Sequence, residues 1–130
     1  MTIRRSLKEE QGQALTEFAV VLPVLIVVLL AIVQFGIAFT HYLSLTDAVR
    51  AGARAGAVSA AESDPEVVAK NAVFDAADGL KEADLHVDVD SAWESGSKLT
   101  VTATYPYELD VFGIVVKSGS LKSTTTERVE

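Results

Sequence analysis

The chain has 130 residues, of which 49% are hydrophobic, and a net charge of −7. This length allows one compact domain beside a membrane helix, and cysteine is absent, which excludes disulfides and thiolate metal sites. Residues 60–130 hold fourteen acidic and six basic side chains, so this part argues against nucleic acid or anionic lipid as its partner.

An apolar run covers residues 18–39 and is interrupted by one polar side chain, Gln34. Twenty-two residues at helical rise span roughly 33 Å, enough to cross the hydrocarbon core of a bilayer. No other part of the sequence is as hydrophobic. The run therefore predicts a single membrane crossing, with the lipid bilayer as a partner.

The basic residues on either side of this run indicate its orientation. Arg4, Arg5 and Lys8 precede the run, and Arg50 and Arg54 are the nearest basic residues after it. The positive-inside bias places the N-terminus in the cytoplasm and the C-terminal part outside. A cleaved signal peptide is disfavoured, because the run is longer than the usual apolar region of such peptides.

A glycine followed five positions later by a glutamate stands at the edge of the apolar run. Residues 12–23 read GQALTEFAVVLP, so that Glu17 directly precedes the run and Pro23 lies inside it. This segment resembles the processing site of type IV pilins. In more detail it resembles the TadE-like minor pilins and pseudopilins of tight-adherence (Flp) pili. The resemblance extends through Phe35 and residues 46–54, with a fainter likeness in residues 99–107.

The resemblance implies a prepilin peptidase that cuts after Gly12 on the cytoplasmic side and leaves a mature chain beginning at Gln13. It implies, as further partners, other pilin subunits and the pilus assembly platform in a bacterial cytoplasmic membrane. Helix unwinding near Pro23 in assembled pili is implied as well. Proline inside a helix removes one backbone donor and predicts a kink near residues 19–23.

Glu17 is the sharpest candidate for a role in assembly. A carboxylate near lipid is usually paired, and cleavage would create an α-amine at Gln13, four residues away. The amine of one subunit can neutralise Glu17 of its neighbour, so we expect Glu17 to set the register between subunits. The alternative is an ordinary acidic residue in the first turn of a helix, where the helix dipole favours it.

The helix is predicted to continue beyond the membrane to about residue 61, since residues 40–61 lack proline and are rich in alanine. Small residues recur every four positions, including Gly52 and Gly56, which permits close backbone approach. This pattern predicts a tight helix–helix seam, either between subunits or against the outer domain. The expected assembly residues are Glu17, Phe18, Pro23, Gly52 and Gly56.

A second helix is predicted over residues 64–78. Ser63 is the expected N-cap, with proline in the first turn and Glu66 completing a capping box, and Gly79 is the expected C-terminal cap. One face of this helix carries Ala69 and Val73.

Two strands follow, because residues 85–90 and 99–105 alternate between apolar and polar side chains. A loop over residues 94–96 with Gly96 in the left-handed region pairs Val89 with Val101 and Val87 with Ala103. Trp93 is expected on the same apolar face.

Three further expectations concern the C-terminal part. Pro106 should end the second strand. Residues 109–116 are apolar without a clear period and are expected to form a loop or short turn. A third strand is expected over residues 121–129.

Catalytic chemistry is not indicated. The two histidines, His41 and His86, have no partner spaced for a metal site or a catalytic triad, and no phosphate loop or zinc motif is present. Acidic residues at alternate strand positions, such as Asp88 and Asp90, are typical of a solvated face rather than a Ca²⁺ site. We therefore expect no enzyme activity, no cofactor, no metal and no small-molecule substrate.

These patterns predict an α+β, pilin-like chain with a long N-terminal helix, a second short helix and a small antiparallel sheet. The expected domains are residues 1–12 as a cytoplasmic leader, whose cleavage the resemblance implies, residues 13–61 as the membrane and assembly helix, and residues 62–130 as the outer domain. The expected function is that of a minor pilin or pseudopilin. The alternative is an unprocessed single-pass scaffold or a module that binds a surface ligand.

Overall fold

The computed structural model describes residues 3–111 and 113–130. Two helices precede an antiparallel sheet of strand order β1-β2-β3, which confirms the predicted α+β fold. In chain order the elements are α1 (Ile3–Val58), α2 (Pro65–Ala76), a 3-10 turn (Glu82–Asp84), β1 (His86–Ser91), β2 (Lys98–Val111) and β3 (Ile114–Arg128).

Helix α1 is one unbroken helix that includes Pro23. It ends at Val58, three residues before the predicted end. The Ser59 backbone N–H and its hydroxyl both donate to the carbonyl of Gly56, over 3.2 and 3.1 Å, and so close the helix with a tighter turn.

The last third of α1 is part of the folded domain. Its buried residues recur at spacings of three and four, so they form one stripe that faces α2 and the sheet. The stripe comprises Leu45, Ala48, Val49, Gly52, Ala53, Gly56 and Ala57. The core therefore joins α1 to the chain that follows it, while residues 12–29 of the same helix are exposed.

Helix α2 is capped by Asp64 and not, as predicted, by Ser63. The Asp64 carboxylate accepts a hydrogen bond from the backbone N–H of Val67 over 3.3 Å. Pro65 decides the position, because proline is favoured at the first helical residue and the cap is then the residue before it. Glu66 does not complete the predicted capping box, because its carboxylate accepts a hydrogen bond from the Lys70 amine instead. This hydrogen bond and the attraction of the negative charge raise the pKa of Lys70.

The far end of α2 also differs from the prediction. The helix ends at Ala76, with Ala77 as the C-cap. Gly79 does adopt the left-handed region, with φ of 75°, but it lies two residues beyond the cap and serves the following turn.

The predicted pairing of β1 with β2 is confirmed. Val89 lies opposite Val101, and Val87 opposite Ala103. Gly96 has φ of 80°, as expected, although the connection is longer than three residues and covers residues 92–97. Trp93 packs against the core, also as expected.

The prediction that Pro106 ends the second strand is wrong, since β2 continues to Val111. Strand β1 pairs with β2 only as far as Thr104, so beyond it β2 has a single neighbour, β3. A strand with one open edge tolerates proline, because the missing N–H faces no partner.

The prediction of a loop over residues 109–116 is wrong as well. The described residues of this segment end β2 and begin β3, which starts at Ile114 instead of residue 121. The two strands form a hairpin that extends well past the end of β1. Its turn includes Gly113, with φ of 78°, whose N–H donates to the Asp110 carboxylate over 2.8 Å.

Candidate processing and assembly site

The glycine–glutamate segment is helical and exposed. The hydroxyl of Thr16 donates to the carbonyl of Gly12 over 2.9 Å, and the side-chain amide of Gln13 donates to the Glu17 carboxylate over 3.1 Å. A side-chain carbon at Gly12 meets no atom within 4 Å. Gly12 is therefore not covered by the rest of the described chain, and Glu17 already has a polar partner in its own chain.

Residues 18–39 present apolar side chains around the whole circumference of α1. Large hydrophobic residues are exposed at nearly every position, among them Phe18, which is 58% exposed, Val28 and Phe35. The segment Gly12–Val58 contains a window of mean hydropathy 3.0 with none of its residues buried. A helix that is apolar on all sides needs an apolar surrounding, and by length and composition this one suffices to cross a membrane.

Gly52 and Gly56 lie in a seam within the chain. A side-chain carbon at Gly52 would come within 2.9 Å of the Ala69 carbonyl oxygen and would collide with Val73. At Gly56 it would come within 2.7 Å of Leu99 and 3.0 Å of Ala69. Of the two predicted locations of the seam, the structure contains the one within the chain, against residues 62–130. Both glycines are buried there, so they present no surface to another subunit.

The hairpin of β2 and β3 reaches the apolar run. The side-chain amide of Gln34 donates to the backbone carbonyl of Asp110 over 2.9 Å. This bond gives the single polar residue of the apolar run a structural role, because Gln34 supplies a hydrogen-bond donor to a carbonyl near the end of β2. The sequence showed the interruption at Gln34 but gave no sign of its partner.

Two grooves lie between the hairpin and α1. The groove near His41 has a volume of about 360 Å³, and it is also lined by Asp84 and Tyr105. The His41 ring packs edge-on against Tyr105, with ring centres 5.5 Å apart. The second groove, of about 490 Å³, is mostly apolar and is lined by Phe35, Phe39 and Leu109, among others.

Across the part of the chain that the structure describes, no three histidine, aspartate or glutamate side chains are grouped to hold a metal ion. Asp88 and Asp90 are exposed on β1, as expected of a solvated strand face.

The comparison with known families concerns the segment that carries these features of α1. Residues 12–54 match the family model of TadE-like proteins. The predicted resemblance is thus confirmed over this segment, and it supports a protein associated with tight-adherence pili that has an N-terminal apolar helix. No curated protein and no solved structure matches the chain.

The match divides the expected site residues into those inside the TadE-like segment and those outside it. Gly12, Gln13, Glu17, Phe18, Pro23 and Gly52 are inside. Gly56 lies two residues beyond the segment, and the fainter likeness of residues 99–107 also lies outside it.

Proposed function

We propose that this chain is a minor pilin or pseudopilin of a tight-adherence pilus, cut after Gly12 by a prepilin peptidase and assembled through α1. The observation that supports this most strongly is the position of the Gly12–Glu17 segment. It lies inside α1, at the N-terminal edge of the run that is exposed and apolar on all sides, and within the TadE-like segment. On this proposal the N-terminus is cytoplasmic, and the domain lies outside the bacterial cytoplasmic membrane.

The local structure is compatible with cleavage. Glycine weakens a helix by about 1 kcal/mol relative to alanine, so α1 opens more readily at Gly12 than at the residues around it. Cleavage there leaves an amine at Gln13 and keeps the entire apolar run in the mature chain. The subunit therefore stays in the membrane until it is assembled.

Processing is tested by N-terminal sequencing and intact mass of the protein purified from cells that carry the pilus machinery. The mature chain should begin at Gln13. Gly12→Leu should retain residues 1–12. Gly36→Leu is the matched control, since Gly36 is also an exposed glycine of α1 with no atom within 4 Å of an added side-chain carbon. A wild-type chain that keeps its first twelve residues would favour the unprocessed scaffold or binding module.

Glu17 is the proposed registration residue. Within one chain, Glu17 accepts a hydrogen bond from the side-chain amide of Gln13. A glutamine at position 17 keeps a carbonyl oxygen that can accept the same bond. Glu17→Gln therefore removes the charge and keeps the size and local bonding. We expect the variant to insert normally but to be lost from sheared pili, because it no longer attracts the amine of a neighbouring subunit.

The control for this experiment is Asp47→Asn, which removes an exposed acid of α1 that pairs with Arg50 over 3.5 Å. It should leave the amount of subunit in pili unchanged. Equal incorporation of Glu17→Gln and wild type would leave Glu17 as an ordinary exposed acid of α1, with no role in registration. A wild-type subunit that stays in the membrane fraction, with none in sheared pili, would instead favour a membrane-resident part of the assembly machine.

A further inference from the structure

We propose that the described part of the β2–β3 hairpin tip, residues 110–111 and 113–116, rests in the outer headgroup region of the bilayer while the chain is in the membrane. The inference rests on the proposed membrane crossing by residues 18–39. It adds a second membrane contact, made by the folded domain itself, to the one made by α1.

The hairpin runs along α1 toward the apolar run. Far from the tip, Leu99 of β2 packs near Gly56. Further along the strand, Tyr105 contacts His41, and at the tip the Asp110 carbonyl accepts the bond from Gln34. Later residues of β2 thus contact earlier residues of α1, so the strand and the helix run in opposite directions. The tip therefore lies beside Gln34, a residue of the predicted span.

The depth of the tip follows from helix geometry. Glu17 and Gln34 are seventeen residues apart, about 26 Å at helical rise. The hydrocarbon core is about 30 Å thick, so with Glu17 at the inner boundary, Gln34 lies within about one helical turn of the outer boundary. The tip is then at the height where acyl chains meet headgroups.

The exposed side chains of the tip suit that environment. Ile114, Val115 and Val116 are consecutive, and they are 69%, 51% and 68% exposed. No charged residue occurs between Asp110 and Lys117. Successive strand residues point to opposite faces, so the start of β3 presents uncovered apolar side chains on both of its faces. Lipid surrounds a protrusion on both faces, whereas a docked protein surface covers mainly one.

Two features limit the depth to the headgroup region. Strands β2 and β3 each have an open edge at the tip, and unpaired backbone groups are not tolerated in hydrocarbon. Asp110 carries a charge, and Lys117 follows the apolar residues, where a long cationic side chain can reach lipid phosphates. Because the domain is acidic overall, we assign the attraction to the apolar side chains and not to anionic lipid.

The experiment uses single-cysteine variants of the full chain, which has no native cysteine. An environment-sensitive nitrobenzoxadiazole dye is attached at Val115→Cys, or in a second variant at Ile114→Cys, and the protein is reconstituted into phosphatidylcholine vesicles. Some of the lipid carries a nitroxide quencher, either near the headgroup or near the acyl-chain end. Val28→Cys, within the apolar run, reports the crossing, and Glu127→Cys, at the other end of β3, is the matched aqueous control.

We expect the shallow nitroxide to quench the dye at residue 115 by about twofold or more relative to residue 127, at low protein density. The deep nitroxide should act more strongly at residue 28 than at residue 115. Quenching at residue 28 with none at residues 114 and 115 would overturn the inference and leave the crossing intact. Loss of quenching at residue 28 would overturn the crossing and the inference together.

Two other results would also overturn the inference. Quenching at residue 115 that is stronger with the deep nitroxide would place the tip in the hydrocarbon core. Shielding of the dye that appears only at high protein density would show that a second copy of the chain, not lipid, covers the tip.

Discussion

The backbone of Gly52 lies against the side chain of Val73, with no room between α1 and α2 for a side-chain carbon. The Ala69 carbonyl oxygen also lies 2.9 Å from where that carbon would be. We therefore expect Gly52→Ala to lower the free energy of unfolding by about 1–3 kcal/mol, despite the better helix propensity of alanine. Urea unfolding of the detergent-solubilised chain measures this change.

Gly36→Ala is the control for that prediction, because the same carbon meets nothing at Gly36. It should be neutral or stabilise the helix by up to about 1 kcal/mol. Val73→Ala in the Gly52→Ala background should recover part of the loss, since it removes the methyl groups that collide. Additive effects of the two substitutions would show that these residues do not compete for the same space.

Asp64→Ala should lower the free energy of unfolding by about 0.5–2 kcal/mol, because it removes the acceptor for the Val67 N–H at the start of α2. Ser63→Ala should change it by less than about 0.5 kcal/mol, since Ser63 is exposed and is not the cap. Thermal unfolding of both variants tests the assignment directly. A larger loss of stability for Ser63→Ala than for Asp64→Ala would show that Ser63 is the cap.

The sequence was sufficient for the features that depend on local pattern. The seam of α1 was predictable because buried positions on a helix recur at spacings of three and four and its glycines follow that rule. The register of Val89 with Val101 was predictable because inward residues must face the same side of a sheet. The choice between Ser63 and Asp64 was not settled by residue type, since both residues are good caps and only the position of Pro65 separates them.

The long hairpin was not predictable from local pattern. Proline usually ends a strand, and its tolerance at position 106 depends on where β1 stops, which is a property of the whole sheet. Residues 113–116 are apolar but exposed, so they lack the alternation that marks a half-buried strand. The bond from Gln34 to Asp110 joins residues 76 positions apart, and neither residue indicates the other.

Pro106 is expected to protect the open edge of β2 beyond Thr104. Pro106→Thr adds a strand-forming residue with an N–H, so we expect a change in the free energy of unfolding of less than about 1 kcal/mol. The new donor at an uncovered edge should instead promote pairing between chains. Sedimentation of the detergent-solubilised protein should therefore show more oligomer for this variant than for Glu108→Thr, a neighbouring exposed substitution. Identical sedimentation of both variants would argue against a protective role.

The bond from Gln34 should hold the end of the hairpin against α1. Gln34→Leu leaves the half-buried Asp110 carbonyl without its donor, and we expect the hairpin to open more readily by about 0.5–1.5 kcal/mol. Hydrogen exchange in detergent should then be about 2- to 10-fold faster for the amides of residues 107–120, with those of residues 99–104 unchanged. Gln13→Leu is the control, because the Gln13 bond to Glu17 is local to the helix. Unchanged exchange in the hairpin would show that the strands hold their position without this contact.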